Sequence, residues 1–464
     1  MERLRDYLSA LPEAAKQLLS AEIARARARG DDVPGGDLIL AALGAAAPAA
    51  KPAAPAAPAE RPDATPRFLF RPLEPFLIDE RLETKCRGRI MRGSLSSIWT
   101  YFKRDLQPDA MAELERVARA AEDGGDEAPV ASAIAQALPT LAAAAKAALD
   151  LAASSEQERK RLTVRLGDDR VKEDLVDILA ILAEQQVIAG SVSKAPNGIK
   201  NLADEGLANA RAMLEPIATH RPQALPYCLA LLQNRLVQRA QLARLAVLVA
   251  ESDDPVKIAA TPYKAAVDLV IADIERATQR ISRALKEGNG ERAQAGIKEF
   301  HDSIRSLRTD MSLVGDGVWQ KRLGKLRADL SGLLSAQIEN LPGEVRRVLR
   351  PRQKSDHAMA PLSEETVQEI EARLDLLICC RNHASEIALN EITSRVFSEI
   401  QGYLDPTLTQ LMDSIRAAPD TDRELKISQI EAAVRFSARI FGQSYAQLLQ
   451  KAADVAIASG KAAR

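Results

Sequence analysis

Three successive segments of this chain repeat one spacing, and that spacing leaves few folds open. Val267, Ile271, Ile274, Thr278, Ile281 and Leu285 follow one another by steps of four and three residues. So do Ile297, Phe300, Ile304, Leu307, Met311 and Val314, and again Trp319, Leu323, Leu326, Leu330 and Leu333. Such steps gather apolar groups on one stripe of an α-helix and scatter them over both faces of a strand. "GNG" at 288–290 and "GDG" at 315–317 join the segments; they are short enough to turn each helix back on the last, and glycine accepts the positive φ that ends a helix. The pattern predicts an up-down-up three-helix bundle over 262–341, opened by Thr261 as N-cap with Pro262 at the first helical position.

The same reading extends in both directions. Upstream, helices are predicted at roughly 92–106, 109–122, 129–153, 155–166, 169–189, 198–219 and 223–251, with Pro139 and Pro226 expected to kink or restart theirs. Downstream, Ser363 followed by Glu364 and Glu365 starts a long helix to about 401, Asp405-Pro406 starts a short one, and a final long helix carries a seam of Ile427, Ile430, Val434, Ser437, Phe441, Ser444 and Leu448. No strand-like alternation is sustained. Apolar residues make up 46% of the 464, yet only two Trp, six Tyr and eight Phe are among them, so the interior is Leu, Ile, Val and Ala. The expected fold is all-α: an elongated multi-helix protein with antiparallel helical bundles and coiled-coil-like seams.

A chain this long exceeds one ordinary domain. Residues 1–44 read as a small N-terminal helical module, 45–66 as an Ala/Pro-rich linker, and 67–253 as an aromatic anchor followed by a helical domain; the bundle at 262–341, a basic connector at 342–362 and a long-helix region at 363–464 complete the division. Proline repeated through 45–66 removes helical hydrogen bonds and leaves nothing to bury, which predicts a semi-extended tether.

"RFLFRPLEPFLIDE", residues 67–80, gathers aromatics in a chain that has few. Pro72 and Pro75 predict an extended backbone there, and its apolar side chains need a surface. Phe68, Phe70, Phe76 and Trp99 are therefore candidate docking residues, and the favoured surface is the protein's own body over a partner.

Charge is balanced, with 63 Lys plus Arg against 64 Asp plus Glu, so attraction to nucleic acid or anionic lipid requires a local patch. Two exist. "KCRGRIMRGS" holds Lys85, Arg87, Arg89 and Arg92, and "VRRVLRPRQK" holds Arg346, Arg347, Arg350, Arg352 and Lys354, the better of the two. The one metal-capable cluster is Asp375, Cys379 and His383, four residues apart on a predicted helix ridge; its spacing departs from the Cys pairs of structural zinc sites, and no metal is expected. No G-x-S-x-G elbow or phosphate-binding glycine loop occurs.

These features favour a non-enzymatic scaffold, adaptor or assembly protein without cofactor, acting through a protein partner, with self-association through the 427–448 seam as an option. The alternatives are binding of nucleic acid or an anionic membrane surface through 346–354, and an all-α enzyme whose site is dispersed in sequence. Cys86, Cys228, Cys379 and Cys380 form no spaced framework and no strongly apolar run of membrane-spanning length appears, so a cytoplasmic protein with no transmembrane segment is expected.

Overall fold

The chain divides into two compact units, Met1–Asp63 and Ala64–Arg464. A computed structural model describes residues 65–350, 361–416 and 420–462 together with a few isolated positions before 65. The reading of 1–44 and 45–66 lies almost wholly outside the described residues.

Within the second unit helix follows helix, and the only paired strands among the described residues are Leu77–Ile78 and Ile90–Met91. The protein is all-α. One continuous hydrophobic core runs from Leu69 to Ala456, so the stretches 67–253, 262–341 and 363–464 share a single interior.

At its centre lies the helix Lys264–Lys286, called here the hub. Its predicted seam is buried at Val267, Ile271, Ile274 and Ile281, but Leu269, Val270, Ala272, Asp273 and Glu275 are buried as well. A helix covered on every side has no solvent stripe, so it is held by packing all round; each fully buried Val, Leu or Ile contributes about 1.5–3 kcal/mol. The helices Gly290–Asp310 and Val318–Ile338 both lie against it, as do Leu225–Arg235 and Ala243–Ala250. The hub opens at Lys264, later than the Thr261-Pro262 reading, because Thr261 to Tyr263 form a turn that buries Tyr263. Asn289 caps the next helix, its side chain accepting from Arg292 N at 3.0 Å.

Gly296 sets how closely these two helices approach. A Cβ added there would lie 2.6 Å from Ile281 Cγ1, the branched and fully buried part of that side chain. Alanine is the better helix former by about 1 kcal/mol, but overpacking costs about 1–3 kcal/mol. Gly296→Ala is therefore expected to lower the melting temperature in the wild-type background and to leave it unchanged or raise it in an Ile281→Ala background, a sign reversal that thermal melts of the four proteins would read.

Several boundaries differ from expectation for local reasons. The 169–189 helix stops at Ala183 and restarts at Gln185, and 223–251 breaks at Leu236, whose extended backbone bridges Ile199. The helix to 401 ends at Asn382; a left-handed Ala388 turns the chain into a new helix, Asn390–Arg416, which passes through Pro406 without restarting there. Gly442, at φ +93°, divides the final helix and turns Leu448 out to solvent, while Ile430, Val434 and Ser437 are buried inside the chain. Val314 lies beyond its helix and is exposed, and the third seam drifts from Leu333 to the buried Leu334, as a helix of 3.6 residues per turn must against a repeat of 3.5.

Ala128–Ser154 runs through Pro139 as one helix and is, by length and composition, apolar enough to cross a membrane. Alanine supplies much of that hydropathy, and Lys146 and Asp150 lie within it.

Candidate functional site

The aromatic stretch is not extended. Thr65–Phe70 is α-helical and Arg71–Phe76 is a 3₁₀-helix with Pro72 in its first turn, where the fixed φ of proline suits the conformation and its missing N–H has no partner to lose. Phe70 packs against Trp99 and Phe102 with ring centres 6.5 and 6.4 Å apart, and Phe76 meets Tyr227 edge to face at 6.1 Å. Phe70, Phe76 and Trp99 are buried and Phe68 is half-buried under Arg71. These side chains sit in the protein's own core.

The following segment, 77–93, closes a loop on itself. Leu77 pairs with Ile90 and Ile78 with Met91 in a short parallel ladder, and the residues between form a strap across the hub and its neighbours. Gly88, at φ +83°, lets the strap touch the Leu225–Arg235 helix, since a Cβ there would stand 3.0 Å from Ala230 Cβ.

The strap's cations are not a surface patch. Lys85 Nζ lies 2.5 Å from Asp174 and 2.8 Å from Asp177, carboxylates whose side chains are 1% and 3% exposed. Asp174 also accepts from Met91 N and Ser94 Oγ, and Asp177 from the Tyr227 hydroxyl at 2.8 Å. Arg89, buried, donates to Asp273 on the hub, to Gln233 and to the carbonyl of Gly88. Arg276 joins Asp273 to Glu80, and Lys325 holds Glu83. Arg87 remains exposed and Arg92 reaches Glu74 and Asp79 at the surface. Lys85 and Arg89 thus pair with acids on distant helices, which a single sequence does not bring together.

Burial alone would raise the Asp273 carboxyl, yet Arg89 and Arg276 hold it below its ordinary value. Its contribution to stability is present above the unfolded carboxylate range and lost as pH falls through the depressed folded value. The thiols behave oppositely. Burial pushes Cys86 and Cys380 from 9.0 up to about 12 and Cys379 up to about 11. They stay protonated in the fold where the unfolded chain ionises, so stability is complete below pH 9.0 and falls towards about 12. Urea unfolding compared at about pH 8 and about pH 10.5 is expected to show a lower midpoint at the higher pH, with a smaller drop in Cys86→Ala; equal drops would remove Cys86 as a source.

Of Asp375, Cys379 and His383, only the last two meet, with Cys379 Sγ 3.9 Å from His383 Nδ1. Asp375 pairs with Arg439 at 3.2 Å, while His383 ends its helix with Nδ1 2.8 Å from the Cys379 carbonyl and its ring against His301. Among the described residues no group of three or more His, Cys, Asp or Glu is placed to hold a metal.

In the basic connector, Leu341–Leu349 buries its apolar face. Arg346 reaches Glu399 at 3.4 Å and lies over the Tyr403 ring. Arg347 and Arg350 are exposed, and Arg352 and Lys354 lie outside the described residues.

Among the described residues there is also a concavity that the motif reading missed. A groove of about 680 Å³ opens between the 3₁₀ turn Arg239–Leu242 and the helix Gly290–Asp310, with Gln233, Val270 and Asp273 in its lining. Four cations, Arg239, Arg244, Lys298 and Arg305, face it, beside the acids Asp273, Asp302 and Glu299, the last held by Arg280 at 2.8 Å. Arg244 is held by Asp310 at 3.1 Å, and Arg239 is a third guanidinium, at 3.6 Å, on an Asp273 that Arg89 and Arg276 already neutralise. Lys298 and Arg305 are exposed and have no ion-pair partner among the described residues. The available signal was their seven-residue spacing, two helical turns, beside the buried stripe of Ile297, Phe300 and Ile304.

No family model, curated protein or solved structure matches this chain.

Proposed function

We propose that the chain is a non-enzymatic, cytoplasmic helical adaptor that works through protein–protein contacts. The observation that supports it is the direction of the charge. Ion pairs run inward, from the strap to the hub and its neighbours, and make a braced body, while Lys298 and Arg305, two cations without ion-pair partners among the described residues, face an open groove. A braced body that presents a polar concavity suits holding another chain. The tether read in 45–66 would let the N-terminal module engage a second site.

A second reading is binding of a polyanion by the connector, favoured by the exposure of Arg347 and Arg350. Isolation of the full chain from its native cells at physiological salt, followed by nuclease and detergent treatment and mass measurement in solution, distinguishes the two. A complex of fixed protein stoichiometry that survives both treatments is expected; loss on nuclease, or co-flotation with lipid, would favour the second reading.

A further inference from the structure

The groove has a length, a charge order and a lack of aromatic walls that together restrict its occupant. We propose that it binds an extended acidic segment of a partner protein, about six residues long, whose carboxylates pair with Lys298, Arg305 and Arg239. The proposal rests on the adaptor reading and names the chemistry of the partner.

Along its helix the groove runs from Ala295 to Thr309, about 21 Å at 1.5 Å per residue, which is the span of about six residues of extended peptide. Lys298 and Arg305 are two turns apart, about 10 Å, and their flexible side chains can reach carboxylates two residues apart on one face of such a peptide, about 7 Å from each other. Both are exposed and lack an ion-pair partner among the described residues, so a ligand carboxylate need not displace an existing pair. Arg239, 44% exposed, is in excess on Asp273 and can turn to a third acid. Asp302 lies between Lys298 and Arg305 on the same stripe and repels a carboxylate at mid-groove, which favours an acid–neutral–acid order. Ser303 and Gln238 offer neutral hydrogen-bonding groups to the segment's backbone. No aromatic ring lines the groove, so nucleobases would find no stacking platform, and Val237, Ala240, Val270 and Ala295 are too small to grip an apolar helix.

Fluorescence anisotropy of the full chain with a labelled six-residue peptide, three glutamates separated by glycine and serine, tests this at low salt. Saturable binding is expected, weakened at least about tenfold by Lys298→Glu with Arg305→Glu, lost when glutamine replaces the glutamates, and unchanged by Arg347→Glu with Arg350→Glu. Should the double reversal fail to fold by circular dichroism, Lys298→Gln with Arg305→Gln takes its place, with a loss in the same direction. Absence of binding to the wild-type chain, equal affinity for the glutamine peptide, or tighter binding of a single-stranded oligonucleotide of equal charge would overturn the proposal. A nuclease-resistant protein complex together with failed peptide binding would remove this assignment alone; loss of the complex would remove the adaptor reading with it.

Discussion

Lys85→Met is expected to lower the unfolding free energy by about 3–5 kcal/mol, because it leaves two buried carboxylates with no cation between them. Asp174 retains Met91 N and Ser94 Oγ, and Asp177 retains the Tyr227 hydroxyl, but neither gains access to water at 1% and 3% exposure. Methionine matches the aliphatic length of lysine, so the loss is of charge and not of volume. A surface control is available in Lys325→Met: that side chain pairs with Glu83, but both are more than half exposed, and a change within about 1 kcal/mol is expected. Adding Asp177→Asn to Lys85→Met is expected to recover part of the loss, since it removes one of the stranded charges. Urea midpoints for the four proteins decide it; similar costs for Lys85→Met and Lys325→Met would mean that the strap is not held by its buried pairs.

Phe76→Ala is expected to cost about 3–5 kcal/mol, the usual range for a buried aromatic truncated to a methyl group. Phe76 is 1% exposed, meets Tyr227 edge to face, and follows Pro75, whose carbonyl accepts from Asn234. The substitution opens a cavity where the strap begins, beside the Leu225–Arg235 helix, so loosening there should spread to the Tyr227–Asp177 contact. Phe68→Ala, on a half-buried ring, is expected to cost clearly less. Equal effects at the two positions, or a marginal effect at Phe76, would indicate an aromatic strip held for a partner instead of for the core.

These two substitutions also mark where the amino-acid sequence could be read and where it could not. Helical class follows from spacing, because steps of three and four separate helix from strand without knowledge of any neighbour. The hub's second and third buried faces were hidden. Ala272, Asp273 and Glu275 look like a solvated face, and only the approach of Arg89, Arg322 and the strap makes acids at those positions internal. For the same reason Lys85 and Arg89 read as a basic patch: their partners lie about 90 and 180 residues away, and composition carries no information on such pairing. Phe70, Phe76 and Trp99 are recognisable as anchors from their concentration, but Pro72 and Pro75 do not force an extended backbone, because the first turn of a 3₁₀-helix accommodates proline. The groove has its cations on three elements, and of these only Lys298 and Arg305 share a sequence period that could have exposed them.

Hydrogen exchange measured residue by residue over 77–93 is the most direct test of the claim that buried pairing, and not helix alone, braces this body. The Glu83 amide donates to Glu275, Met91 to Asp174 and Arg92 to the Ile78 carbonyl, so these amides are expected to exchange as slowly as those of the hub helix 264–286. Exchange of 77–93 within seconds, as for an open surface loop, while 264–286 stays protected, would contradict it.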